Sequence, residues 1–250
     1  MERAEFLDPF ERLLDDLFSS ARLHKIAEGD ENRSEMAAIE ESGFLDLLAS
    51  GIGGDEAPDF RIAVALFMAV GRSGAPLDIA EDMIARADAS DGEKSSARLV
   101  MLGAAMAGAA EHLLEMSVAY ANERVQFGKP IGRQQALQQN LAVMAEHCIA
   151  MRAAVQAAAC GDSWPSALQG SFAKSVCSEF APLVANCAHA VHGAIGISME
   201  FDLQLYSRKL HALRGEAGSE GLHNRAIGRA VLASDKSAVD WMRGALFGEE

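Results

Sequence analysis

The segment Glu123-Arg124-Val125-Gln126-Phe127-Gly128-Lys129-Pro130-Ile131-Gly132 sets a guanidinium close to an aromatic ring where a long apolar run ends in a turn. A guanidinium matches phosphate oxygens two at a time, and an aromatic face can pack on a flat ring. The arrangement suits gripping a flat, anionic cofactor. The plainer readings are an ion pair between Arg124 and Glu123 and a core anchor at Phe127. Other constellations fall short of chemistry. Glu220-Gly221-Leu222-His223 has the Glu-x-x-His spacing of a di-iron bundle without the second such motif and the further glutamates it needs. His189 and His192 stand one turn apart with no third metal ligand evident, so no metal site is expected. Gly51-Ile52-Gly53-Gly54 follows no strand and is not a dinucleotide fingerprint. There is no Gly-x-Ser-x-Gly elbow and no Walker loop.

The elements that must position Arg124 and Phe127 read as helices. Leu13, Leu14, Leu17, Phe18 and Leu23 fall at helical spacing and predict one helix over residues 5–27. Asn32 and Glu35 form a potential capping box for a helix ending at Ser42-Gly43. After the connector 44–48 and the loop 51–55, helices are expected over 60–70 and 75–87, with Pro76 in the first turn of the latter. Residues 89–94 are polar, small and flexible and are read as a linker between an N-terminal helical domain (1–88) and a C-terminal helical-bundle domain (95–250). Long helices are expected over 95–122, 134–159 and 166–191. Shorter ones follow over 197–212 and 221–232, and Asp235 is expected to cap a last one through Leu246. Long helices joined by short turns imply an all-α, up-and-down four-helix bundle, and no stretch alternates well enough to predict a strand.

Composition narrows the function classes. Half of the 250 residues are hydrophobic, so disorder is not expected, and aromatics make up 6%, which favours helices over a β-sandwich. A net charge of −14 argues against nucleic acid and against an anionic membrane surface. The most apolar run, Leu99 to Ala110, is too short to span a bilayer, and the N-terminus has no signal-peptide character. Cys148, Cys160, Cys177 and Cys187 form no Cys-x-x-Cys pair and are read as buried thiols of a reducing cytoplasm.

Two motifs resemble the acyl-CoA dehydrogenase flavoprotein family. Tyr120 to Ile131, with Gln135 following, is similar to its Arg-x-x-Phe-Gly-x-x-Ile signature. Ala190-Val191-His192-Gly193-Ala194-Ile195-Gly196-Ile197-Ser198-Met199-Glu200-Phe201-Asp202-Leu203 resembles its Gln-x-His-Gly-Gly-x-Gly-Phe-Thr-x-Glu segment, in the form found in bacterial enzymes acting on steroid and other bulky acyl-CoAs. Here Ala190 stands for the family glutamine and Ala194 for its second glycine. Segments 40–48 and 69–77 resemble the family's N-terminal helical domain more loosely. The β-domain that the family places between the two helical parts is missing. The resemblance implies FAD shared across a subunit interface. Arg124 would pair with its pyrophosphate, Gln126 would hydrogen-bond nearby, Phe127 would pack on the cofactor, and Gln135 and His192 would belong to the same cofactor-binding set. Gly193 and Gly196 would let the backbone approach closely.

The family's catalytic glutamate lies on the loop before the last helices or, alternatively, on the first long helix of this domain. Counting back from Arg229 puts Ala217 at the first position, with Glu216 one residue away, and the second falls near Arg98. Glu216 is thus the one candidate base. Three readings follow. The leading one is a non-catalytic or half-site subunit of a heteromeric, FAD-dependent acyl-CoA dehydrogenase, partnered by a full-length subunit; mixed tetramers in which one subunit type lacks the base occur among relatives that resemble it. The others are a flavin-free helical scaffold, which Ala190 and Ala194 favour, and a self-sufficient homo-oligomeric dehydrogenase using Glu216.

Overall fold

A computed structural model describes residues 3–52, 59–161 and 163–247, so residues 53–55 of the expected loop lie outside the described residues. The N-terminal part comprises α1 (Arg3–Leu17), α2 (Ser20–Ala27), α3 (Arg33–Glu41), a 3₁₀ turn (Phe44–Asp46), α4 (Phe60–Ser73) and α5 (Asp78–Ala85). The C-terminal part begins with α6 (Asp91–Glu123), followed by the two-residue strands β1 (Val125–Gln126) and β2 (Lys129–Pro130). Then come α7 (Gln135–Ala157), α8 (Ala167–His192), a 3₁₀ turn (Gly193–Ile197), α9 (Leu203–Gly215), α10 (Glu220–Leu232) and α11 (Ala238–Phe247). The chain is all-α apart from that one antiparallel hairpin among the described residues.

Several boundaries differ from expectation for local reasons. The helix predicted over 5–27 is two, because Ser19 is extended (φ −59°, ψ 157°) and its carbonyl restarts the helix by accepting from the amides of Arg22 and Leu23. That break sends Phe18 and Leu23 into the core from different directions. Asn32 precedes α3 but makes no side-chain cap. Glu35 is instead taken by the Arg22 guanidinium, which holds its carboxyl down at about 2. Residues 91–94 belong to the first turn of α6, because Ser90 and Glu93 form a reciprocal capping box: the Ser90 amide donates to Glu93 at 2.8 Å. Asp235 does not cap α11; the Asp240 amide donates to the Ser237 hydroxyl at 3.2 Å.

The centre of the molecule is α6, which packs on α4, α7, α8 and α9. Its run Val100–Ala110 is buried and built of small residues. A Cβ on Gly108 would lie 1.9 Å from the Met68 carbonyl oxygen, and one on Gly71 2.0 Å from that of Ala105. Helices α4 and α6 therefore cross backbone to backbone, which only glycine permits. One cluster of buried side chains runs from Phe10 through α4, α6, α7 and α8 to Leu213, so both helical parts share it. By length and composition alone, α6 and the stretch Ala167–Ile197 are apolar enough to cross a membrane, which a search for continuous apolar runs does not reveal. In α6, 67% of that apolar window is buried inside the bundle, as expected of a core helix. Cys148 and Cys177 are buried and their thiols are pushed up to about 12 by burial, whereas Cys160, just past α7, is exposed.

Candidate cofactor-facing site

Helix α6 stops at Glu123, and Arg124 turns extended (φ −71°, ψ 115°). The Arg124 carbonyl accepts from the Ile131 amide at 2.8 Å and so closes a hairpin in which Val125 faces Pro130 and Gln126 faces Lys129. Both central residues have positive φ, 54° at Phe127 and 77° at Gly128, the signature of the tight turn that matches strand twist. Glycine takes that conformation freely, but a phenylalanine pays about 1 kcal/mol for it. Its ring gains nothing from the protein in return, being 90% exposed. Phe127 is therefore no core anchor. Arg124 is exposed too and has no ion-pair partner among the described residues, Glu123 included; Gln126 and Gln135 are exposed beside it.

The structure brings the second motif next to this hairpin. Ala121, Ile131 and Val191 form a small apolar cluster under it, and Tyr120 stacks on His192 with ring centroids 4.5 Å apart and planes 24° from parallel. Phe201 closes on the same imidazole at 5.3 Å. His192 is 4% exposed, and its Nδ1 donates to the Ala188 carbonyl at 2.9 Å, which leaves Nε2 as a buried acceptor with no partner. Burial pushes the imidazole below its ordinary value, so it is held neutral. Gly193 ends α8 at φ 61°, ψ −139°, a region essentially reserved for glycine, and nothing stands within 4 Å of where its Cβ would be. Gly196 is buried, and a Cβ there would lie 2.7 Å from Leu203 Cδ2 and 3.0 Å from His192 Cβ. A side chain at 196 would thus crowd Leu203 and His192, whereas at 193 the backbone angle itself asks for glycine.

The loop between α9 and α10 lies beside the N-terminal end of α6. Glu216 Oε1 accepts from the Arg98 guanidinium at 2.9 Å, and Arg98 also holds Glu81 of α5. Glu216, the carboxylate next to Ala217 in sequence, is thus tied to Arg98. A residue not singled out from the sequence fixes this loop. Lys174, fully buried on α8, donates to the Ser178 hydroxyl at 2.7 Å and to the carbonyls of Arg214 and Gly218 at 3.0 and 2.9 Å. Burial lowers it to about 8. His223 Nε2 donates to the Ala217 carbonyl at 3.1 Å. A lysine inside the apolar run of α8 was the available signal, since lysine is almost never buried without partners.

The central helix of the bundle thus ends in an exposed basic hairpin. The sequence profile of the acyl-CoA dehydrogenase C-terminal domain matches residues 96–232. Acyl-CoA dehydrogenase IpdE2 of Mycolicibacterium smegmatis is 36% identical over 112 residues, 45% of this chain and 35% of that protein. Butyryl-CoA dehydrogenase from Megasphaera elsdenii superposes with a TM-score of 0.51 at 26% identity, over 72% of this chain and 40% of that one. A chain of the ChsE4-ChsE5 complex from Mycobacterium tuberculosis superposes with a TM-score of 0.76 over 95% of this chain and 99% of that one, at 15% identity, a likeness of fold. The profile covers more than half of the sequence, and the chain belongs to the acyl-CoA dehydrogenase family, whose members are flavin-dependent oxidoreductases using FAD. It spans about a third of the length of the curated relatives it matches.

Proposed function

We propose that this chain is the short, non-catalytic subunit of a heteromeric FAD-dependent acyl-CoA dehydrogenase, which binds the cofactor's phosphates and leaves the base and most of the acyl-CoA pocket to a full-length partner. The observation that carries the reading is the hairpin: an unpaired Arg124 and a strained, bare Phe127 face away from their own core. Such groups fit an anionic cofactor held jointly with a neighbour. Arg124 would take the pyrophosphate, with Gln126 and Gln135 at hydrogen-bonding positions and Phe127 against the cofactor. The flavin, when bound, supplies the acceptor for the hydride that leaves the β-carbon of the thioester.

Two further observations support the reading. The carboxylate nearest the family's base position is ion-paired to Arg98 in the place of the alternative base, and a general base must be free to reach its proton. The superposition on a chain of the ChsE4-ChsE5 complex runs over nearly all of both chains, which supports a partner of a second kind. The second motif favours a flavin-free scaffold instead, since His192 and Gly196 serve the chain's own packing. The visible spectrum separates the two. Flavin absorbance is expected when the chain is purified together with a full-length acyl-CoA dehydrogenase subunit and not when it is purified alone. A colourless stable complex would support the scaffold, and a yellow, active chain alone would contradict both.

A further inference from the structure

A recess of about 570 Å³ opens where α1 and α2 meet α4, α6 and α9, built from residues with no part in either motif's cofactor role. Its floor is apolar, from Leu14, Phe18 and Leu23. Its back wall is a ring pair, His112 of α6 against Tyr206 of α9, with centroids 4.3 Å apart. Tyr206 is 5% exposed, yet its hydroxyl has no hydrogen-bond partner among the described residues. This hydroxyl is not fully enclosed, and Tyr206 lines the recess.

The rim sets the sign of charge that fits. Four carboxylates line it, from Glu11, Asp15, Glu115 and Asp202, and the one lining guanidinium, Arg72, is spent on Glu115, which it grips through both terminal nitrogens. Asp202 is occupied by Ser20 and by His24, at 2.7 and 2.8 Å. Glu11 and Asp15 form no hydrogen bond or ion pair among the described residues, although Glu11 lies within the field of Arg72 and the two carboxylates stand one turn apart on α1, where like charges repel. An anion therefore meets no free cation here. A bare metal ion is equally unsuited: no group of three or more His, Cys, Asp or Glu among the described residues converges to hold one.

We propose that this recess binds a small organic cation, a protonated amine with an apolar body. Its ammonium lies between Asp15 and the Tyr206 hydroxyl, which accepts a hydrogen bond from it, and its hydrocarbon covers Leu14, Phe18 and Leu23. The apolar floor supplies the contact area and the two free carboxylates supply the charge. This site is independent of the flavin reading and stands or falls separately.

Calorimetric titration of the full chain at low salt with hexylammonium, hexan-1-ol and hexanoate tests it. The expected result is saturable one-to-one binding of hexylammonium, at least about tenfold tighter than the alcohol, weakened by added salt, with no binding of hexanoate. Tyr206→Phe, which removes only the hydroxyl, is expected to weaken the amine about fivefold, and Asp15→Asn about tenfold, as loss of a neutral and a charged hydrogen bond. Both variants are expected to keep the melting temperature of the parent chain. Equal binding of amine and alcohol, preference for the carboxylate, no binding at all, or unchanged affinity in both variants would each overturn the proposal.

Discussion

The hairpin 124–130 and the turn 192–203 carry the two motifs of one family and lie close together, with Tyr120 of α6 stacked on His192, yet they are built in opposite ways. In the turn, polar and small residues are absorbed by the fold: the imidazole is stacked and held neutral, and Gly196 is walled in by Leu203 and His192. In the hairpin, Arg124 has no counter-ion among the described residues, and Phe127 is too exposed to offset its backbone strain by burial. A residue whose type is explained by its own chain needs no ligand to account for it. A residue that costs stability and returns none within the chain points outward, to a cofactor or a partner.

That contrast can be broken or sharpened by substitution. The largest effect on folding is expected in the turn. His192→Ala empties the space between Tyr120 and Phe201 and should cost the isolated chain about 2–3 kcal/mol, read by chemical denaturation. His192→Phe keeps the stack, removes the orphaned Nε2, and should restore that stability. Gly196→Val drives a side chain into Leu203 and is expected to cost about 2 kcal/mol, visible as a lower melting temperature without any flavin present.

Acidification is expected to act on His192 and on two buried imidazoles elsewhere in the fold. Burial holds His192, and likewise His112 and His223, below the ordinary 6.5. As pH falls through 6.5 the unfolded chain takes up protons before the folded one does. The stability these groups contribute is therefore complete above 6.5 and declines as pH drops through their folded values. A melting series should show this decline, and His192→Phe should flatten part of it.

Effects on folding in the hairpin should be small and of opposite sign. Phe127→Gly relieves the positive φ and is expected to stabilise the isolated chain by up to about 1 kcal/mol while lowering flavin retention in a complex. Arg124→Ala should leave stability within about 0.5 kcal/mol of the parent, because an exposed side chain without a partner is removed. A destabilisation comparable to that of His192→Ala would mean that the hairpin serves the chain's own fold after all.

The long helices were legible because their burial is periodic over many turns, and α6, α7 and α8 lie within a few residues of their expected ranges. The break at Ser19 was not, since neither proline nor glycine announces it and only the competition of Phe18 and Leu23 for the core decides it. Two-residue strands are too short to leave an alternating pattern, so the hairpin was seen as a turn alone. The arginine and aromatic of the first motif could be singled out by type and spacing. The inward role of Gly196 could not, because a glycine required by packing and a glycine required by a ligand are the same letter. Tyr206, His112 and Asp15 are far apart in sequence and carry no motif; only the packing of α1 on α4, and of α4 and α9 on α6, brings them to one recess.

Whether the hairpin grips an anionic cofactor shared with a partner is read from the flavin content of the complex with a full-length subunit. Parent and Arg124→Ala chains would be co-purified with the same partner and the flavin counted per complex. The variant is expected to fold and assemble but to lose most of its flavin. An intact Arg124→Ala complex with the parent's full flavin content would contradict it.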